Sequence, residues 1–133
     1  MKKNIIIFGS SGHANEILQS LDKKKFNFLG FVEKKPKKKS NNLKIYCFEN
    51  DVKKLSKKNV FGIVGVYDKD LRKKIVKKIL SINSKFKFIS IISKNSLIAE
   101  KSKIGKDVFI ANGVIINSNS EIKDHSVINT GSI

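Results

Sequence analysis

The sequence predicts an α/β fold: a small Rossmann-like parallel sheet domain followed by the first coils of a left-handed parallel β-helix. Apolar strands alternate with helical segments up to about residue 90. A loop with two glycines follows the first of these strands. After residue 97 an isoleucine recurs on every sixth residue, a period that neither helices nor ordinary strands produce. These residues are Ile98, Ile104, Ile110, Ile116, Ile122 and Ile128.

Residues 1–90 are predicted to form the first domain. Residues 4–8 are a continuous apolar run, which is typical of a strand buried on both faces of a parallel sheet. After a turn, residues 13–21 can form a helix that buries Ile17, Leu18 and Leu21. Further strands are predicted over residues 26–32, 43–48, 60–66 and 86–92, with a short helix at 51–55 and a solvated, lysine-rich loop at 33–42.

The clearest predicted helix covers residues 68–82. Its apolar residues recur at helical spacing, and its lysines occupy the opposite face. Asp68 and Asp70 lie in the first turn, where a negative charge favours the helix dipole. The predicted buried face consists of Leu71, Ile75, Ile79 and Ile82, widened by Val76 and Leu80.

Residues 91–133 are predicted to begin the β-helix. Each short face of such a coil returns side chains to the interior, so we expect Ile104, Ile110, Ile116 and Ile122 to form one interior stack. The repeat stops at Ile133, and we therefore expect this second domain to be truncated.

The amino-acid composition limits the classes of binding partner that we expect. The net charge is +17, but Arg72 is the single arginine among 28 basic residues, and the lysines do not gather in one patch. Proteins that read nucleic-acid grooves rely heavily on arginine, so we expect no nucleic-acid partner. No segment approaches the roughly 18 apolar residues of a membrane span, and a cytoplasmic location is expected. The lone Cys47 excludes an internal disulfide and a cysteine-based metal cluster.

The loop Gly9-Ser10-Ser11-Gly12-His13 is the first candidate binding element. It joins a buried strand to a helix start, where free backbone N–H groups favour an anion. Ser11 replaces the second glycine of a dinucleotide fingerprint, so a phosphate site and a plain tight turn both remain possible.

Three further residues are candidates for the same site. Glu33 ends the second strand, where doubly wound folds often place an acid that binds a ribose or base, although it could be a surface carboxylate among lysines. Lys34 follows it directly, and Gly65 near the end of the fourth strand would line the same crevice.

Taken in order, these segments resemble the sugar-nucleotide acetyltransferases of the PglD type and the related sialic-acid O-acetyltransferase type. The residues that carry the resemblance are Gly9-Ser10-Ser11-Gly12-His13-Ala14, Gly30-Phe31-Val32-Glu33-Lys34, Val64-Gly65-Val66 through Arg72, Ile92 to Ile98, and Ile128-Asn129-Thr130. The resemblance covers the whole chain.

The resemblance implies an acyl-CoA-dependent acetyltransferase acting on a nucleotide-activated amino sugar. The first domain would bind a UDP-amino sugar, and the β-helix would form a homotrimer that binds acetyl-CoA, without any metal. A histidine would act as general base toward the attacking amine. In the family this base follows the asparagine that matches Asn129 by about seven residues, which places it beyond Ile133.

Asn129 is therefore a possible active-site neighbour, and no catalytic residue is assigned in the chain. His125 is expected to be a solvent-facing residue of a loop or coil. We expect residues 1–133 alone to be inactive. A non-catalytic nucleotide-sugar-binding remnant is the alternative, and a basic nucleic-acid-associated protein is a more remote one.

Overall fold

The computed structural model describes residues 1–35 and 45–133. The first part is a five-stranded parallel sheet with the strand order β3-β2-β1-β4-β5. Its strands are β1 (Lys3–Phe8), β2 (Phe26–Glu33), β3 (Ile45–Cys47), β4 (Val60–Val64) and β5 (Lys87–Phe88). The chain moves outward from β1 to β3 and then returns to the other side of β1, so the carboxyl ends of β1 and β4 flank a topological switch point.

In the described part of the chain, three helices flank the sheet: α1 (Gly12–Ser20), α2 (Phe48–Leu55) and α3 (Lys69–Ile82). Asp68 caps α3, because its side chain accepts hydrogen bonds from the backbone N–H groups of Asp70 and Leu71. A short 3-10 turn, Ser56–Lys58, precedes β4. The predicted helices and first four strands therefore agree with the structure in type and order. Most of the predicted solvated loop lies outside the described residues.

The predicted buried face of α3 needs correction. Ile79 is fully buried, but Leu71 and Leu80 are 47% and 37% exposed, and the buried polar residue of the helix is Arg72. Arg72 is buried because the β-helix covers that side of α3 and supplies an acidic partner, Asp107.

The predicted fifth strand over residues 86–92 is two strands. Strand β5 pairs with β4 in the parallel sheet, whereas β6 (Ile91–Ile92) pairs with β9 in the β-helix. The chain passes from one sheet to the other at Ile89 and Ser90, where the Ile89 N–H still donates to Gly62 O at 2.9 Å.

Seven two-residue strands build the parallel β-helix. They are β6, β7 (Leu97–Ile98), β8 (Lys103–Ile104), β9 (Phe109–Ile110), β10 (Ile115–Ile116), β11 (Glu121–Ile122) and β12 (Val127–Ile128). All pairings are parallel, and each joins strands three hexapeptides apart.

The isoleucines consequently form three ladders and not one stack. Ile98 pairs with Ile116, Ile104 with Ile122, and Ile110 with Ile128. A coil has three faces, so only every third repeat returns to the same face. The ladders still meet inside one hydrophobic core, which also contains Ile5, Ile7, Ala14 and Ile17 from β1 and α1.

Candidate functional site

The loop between β1 and α1 has a conformation that only glycine adopts readily. Gly9 has φ of +104°, and its N–H donates to Val32 O at 2.8 Å. A Cβ on Gly9 would lie 3.0 Å from Val66 Cγ2 and 3.2 Å from Gly65 O. The glycine therefore lets the loop pass close to the segment that follows β4.

The amino end of α1 opens into free space. Ser11 is the N-cap residue, in extended conformation, and its side chain makes no capping hydrogen bond. The first-turn N–H groups of a helix lack intrahelical partners and can bind an anion. No atom comes within 4 Å of a Cβ placed on Gly12, so a ligand can approach this helix end closely.

A cavity of about 550 Å³ lies at the switch point, and we call it the crevice. Its wall combines the loop after β1, the end of β2, and one side of α3. The lining residues are Phe8, Gly9, Ser10, Ser11, Val32, Glu33, Lys34, Phe48, Val66, Leu71, Lys74, Ile75 and Lys78. The structure thus brings five of the eight predicted binding residues together.

Glu33 is tied to the loop across the crevice. Ser10 Oγ donates to Glu33 Oε1 at 2.5 Å, which links the end of β2 to the loop after β1. The bond holds the carboxylate at the edge where a ribose hydroxyl would be recognised in a doubly wound fold.

The chain matches the family model for the PglD N-terminal domain over residues 4–79, more than half of its length. The chain belongs to this family. The match covers both sides of the crevice, from β1 to most of α3. No curated protein is significantly similar to the chain in sequence.

Solved structures extend the likeness into the β-helix. The PglD-type chain is 24% identical to a variant of perosamine N-acetyltransferase from Caulobacter crescentus in complex with CoA and GDP-perosamine, with a TM-score of 0.86 over 96% of this chain and 60% of that one. It is 16% identical to the acetyltransferase domain of PglB from Neisseria gonorrhoeae in complex with acetyl coenzyme A, with a TM-score of 0.83 over 98% of this chain and 63% of that one. The PglD-type chain therefore shares their fold and spans about 60% of their length.

Three predicted residues of the PglD-type loop and strand end lie outside the crevice lining. Gly12 is at the open helix end beside it. Gly65 is buried, and a Cβ there would lie 2.6 Å from Ile7 Cγ2 and 2.8 Å from Ala14 Cβ. Its role in the structure is to let α1 approach the sheet.

His13, the third, points into the junction with the β-helix. Its ring is in edge contact with the rings of Tyr67 and Phe109, at centroid distances of 5.8 and 5.6 Å. Burial lowers the pKa of His13, and Glu16, 3.8 Å away, opposes that effect only partly. The predicted binding histidine therefore packs the α/β sheet domain against the β-helix.

Two charged lining residues were missed by sequence reasoning: Lys74 and Lys78 of α3. The sequence placed them on a solvated helix face. Their four-residue spacing, on the helix that follows the strand at the switch point, is the signal that could have identified them. Together with Lys34 they make the crevice favourable for an anion.

Asn129 is connected to the α/β sheet domain. Its Nδ2 donates to Tyr67 Oη at 2.9 Å, and Tyr67 lies in the segment between β4 and α3. Within residues 1–35 and 45–133, no group of three or more His, Cys, Asp or Glu side chains could hold a metal ion. No helix of these residues is long and apolar enough to cross a membrane.

Proposed function

We propose that this chain is the nucleotide-sugar-binding part of an acetyl-CoA-dependent acetyltransferase that modifies an amino sugar carried on UDP or a similar nucleotide, acting in the cytoplasm as a homotrimer. The observation that carries the proposal is the crevice. It joins an open helix end, an oriented carboxylate and three lysines, Lys34, Lys74 and Lys78. The helix end and the lysines suit a diphosphate, and the carboxylate suits a ribose hydroxyl.

The two solved relatives hold CoA or acetyl-CoA, and one also holds a nucleotide sugar. By analogy, the sugar amine would attack the thioester carbonyl, a general base would accept the amine proton, and CoA would leave as the thiol. The residues assigned to binding are Gly9, Ser10, Ser11, Gly12, Glu33, Lys34, Lys74 and Lys78. His13 and Gly65 would not contact the ligand; they would hold α1 in place through packing.

Calorimetric titration with UDP- and GDP-linked amino sugars tests the proposal. Gly12→Val should abolish binding, because a branched side chain would fill the open helix end, while the helix content stays near that of the parent. Unchanged affinity in Gly12→Val would remove the assignment.

The lysines of α3 provide matched variants. Lys74→Ala with Lys78→Ala should weaken nucleotide-sugar binding roughly tenfold or more, since each charge-assisted contact contributes about 1 kcal/mol or more. Lys73→Ala with Lys77→Ala removes the same charge from the same helix outside the crevice and should leave the affinity nearly unchanged.

An assay for the free thiol of released CoA distinguishes an active acetyltransferase from a non-catalytic binding remnant. We expect residues 1–133 to bind the nucleotide sugar without turnover, because the histidine that the family resemblance assigns to proton transfer is not among them. Turnover that His125→Ala abolishes would instead assign the base to this chain.

A further inference from the structure

A second, larger cavity of about 900 Å³ lies between α3 and the coil that contains β12, and we call it the α3 groove. Except for α3 itself, it shares no element with the crevice. Its α3 wall is the helix side that carries Arg72, Lys73 and Lys77, and its other wall includes His125 and Ile128. The proposed function makes no use of this groove.

A buried carboxylate, that of Asp107, contacts two residues of the groove wall, His125 and Arg72. Asp107 has no solvent exposure, and one of its oxygens, Oδ1, accepts the N–H of Val64 at 2.7 Å. The other, Oδ2, lies 2.6 Å from His125 Nδ1 and 3.8 Å from the Arg72 guanidinium. Burial raises the pKa of Asp107, whereas the hydrogen bonds from His125 and Val64 lower it.

This arrangement orients His125 toward the groove. An ionised Asp107 carboxylate can only accept, so Nδ1 is the donor to it, and Nε2 is the ring nitrogen that this bond leaves unused. The His125 side chain is 36% exposed, and its backbone N–H donates to Lys106 O at 2.8 Å. Phe88 contacts the ring edge-on at 5.6 Å. The sequence predicted a solvent-facing loop or coil residue; the structure places His125 in a turn, with its ring partly exposed and also paired with a buried acid.

The groove is basic at its rim and apolar on its floor. Lys69, Lys73 and Lys77 follow one side of α3, and Asp124, the acidic residue in the lining, already accepts the Lys106 N–H at 2.8 Å. Arg72 lines the groove at 7% exposure, and its Nε has no hydrogen-bond partner among the described residues. The floor is formed by Val76, Leu80, Val127 and Ile128.

We propose that the α3 groove is a second ligand site, which binds an organic phosphate with an apolar body. Lys73 and Lys77 hold the phosphate, the apolar floor covers one side of the body, and the His125 ring contacts the body from the other wall. Lone lysines on a solvated helix would attract any anion weakly. The oriented histidine and the buried, incompletely paired arginine are what distinguish this groove from such a surface.

Imidazole NMR spectra provide the test, because His13 and His125 are the two histidines of the chain. Phenyl phosphate is titrated at 150 mM salt, which screens diffuse attraction to the lysines. The His125 resonances should shift saturably, while those of His13 should stay in place. Inorganic phosphate, which lacks the apolar body, should bind at least tenfold more weakly.

Charge-matched variants localise the binding. Measured at the His125 resonances, Lys73→Ala with Lys77→Ala should weaken phenyl phosphate binding at least tenfold, and Lys74→Ala with Lys78→Ala should not. This pattern is the reverse of the one expected for nucleotide sugars in the crevice, so the two proposals can fail independently.

Three results would overturn the proposal. They are the absence of a His125 shift at millimolar phenyl phosphate, equal weakening by both lysine pairs, and equal affinity for inorganic and phenyl phosphate. His125→Gln, which keeps a polar side chain at the position, should lower the affinity while the spectrum of His13 shows an intact fold.

Discussion

Individual residues at the junction of the two parts have structural roles that their motif does not reveal. His13 belongs to the loop motif, yet its ring packs between Tyr67 and Phe109, and its Nε2 is buried without a partner among the described residues. Such a site favours the neutral imidazole, because a charge there would lose its hydration. His13 therefore couples the stability of the junction to pH.

We predict that His13 makes the protein less stable in mild acid. Its folded pKa lies below the ordinary value of 6.5, so the unfolded chain takes up the proton first. The free energy of unfolding should fall as the pH drops below about 6.5, by at most about 1.4 kcal/mol per pH unit for this one group. His13→Asn should flatten this slope in urea denaturation series. Parallel slopes for parent and variant would contradict the assignment.

Two glycines of the same region should differ in how far alanine destabilises the protein. Gly65→Ala places a Cβ 2.6 Å from Ile7 and 2.8 Å from Ala14, and we expect a loss of about 1–3 kcal/mol in the free energy of unfolding. Gly12→Ala meets no atom within 4 Å and should leave stability nearly unchanged. Thermal melting of both variants checks the pair, and equal melting temperatures would mean that α1 does not pack as closely as described.

At the scale of elements, the β-helix derives its stability from side-chain ladders that hydrogen bonds between coils keep in register. Ile116 and Ile98 are directly paired, and the Ala99 N–H donates to Ile116 O at 2.9 Å. Strand β10 turns Ile116 into the core at 6% exposure, while its neighbour Ile115 is 36% exposed. Adjacent isoleucines thus face opposite environments on one two-residue strand.

We predict that Ile116→Asp unfolds the β-helix, since an unpaired buried carboxylate costs about 3 kcal/mol or more. Ile115→Asp makes the same chemical change at the exposed neighbour and should cost under about 1 kcal/mol. Urea midpoints measured by circular dichroism give the comparison. If Ile116→Asp melts like Ile115→Asp, the inward direction of the ladder is wrong.

The sequence predicted the elements whose signals are periodic and local. The apolar run of β1, the amphipathic pattern of α3 and the six-residue isoleucine period each require only neighbours in sequence. Contacts between distant residues could not be predicted in this way. The burial of Arg72 depends on Asp107, 35 residues away, and the contact between Asp107 and His125 depends on the coil register.

The candidate site shows the same division. Gly9 and Glu33 of its lining were predicted, because a strand end followed by a turn is visible in sequence. Lys74 and Lys78 were missed, because the sequence assigns them to the polar face of α3 but does not show that this face borders the crevice. Only the packed position of the helix decides that Leu71 stays half-exposed beside the crevice while Arg72 is buried.

At the scale of the whole molecule, the two parts share one core. The cluster that contains Ile17 of α1 also contains Val108 and Ile110 of the β-helix. Asp107 adds a buried hydrogen bond to Val64 at the end of β4. If the two parts were separated, this apolar surface would be exposed to water. The free-energy cost would be about 25 cal/mol for each Å² exposed.

We therefore predict that a substitution in the buried face of α1 also destabilises the β-helix. Ile17 is fully buried, and Ile17→Ala should remove about 2–5 kcal/mol through lost packing and a residual cavity. Hydrogen exchange of the Phe109 and Ala111 amides, which donate to Ser126 O and Ile128 O, reports the opening of the β-helix. Their protection should fall by the same free energy as that of the β1 amides if both parts open in one cooperative step. If the β1 amides lose protection while Phe109 and Ala111 keep theirs, the α/β sheet domain and the β-helix unfold independently, and the shared cluster is a contact surface between two stable bodies.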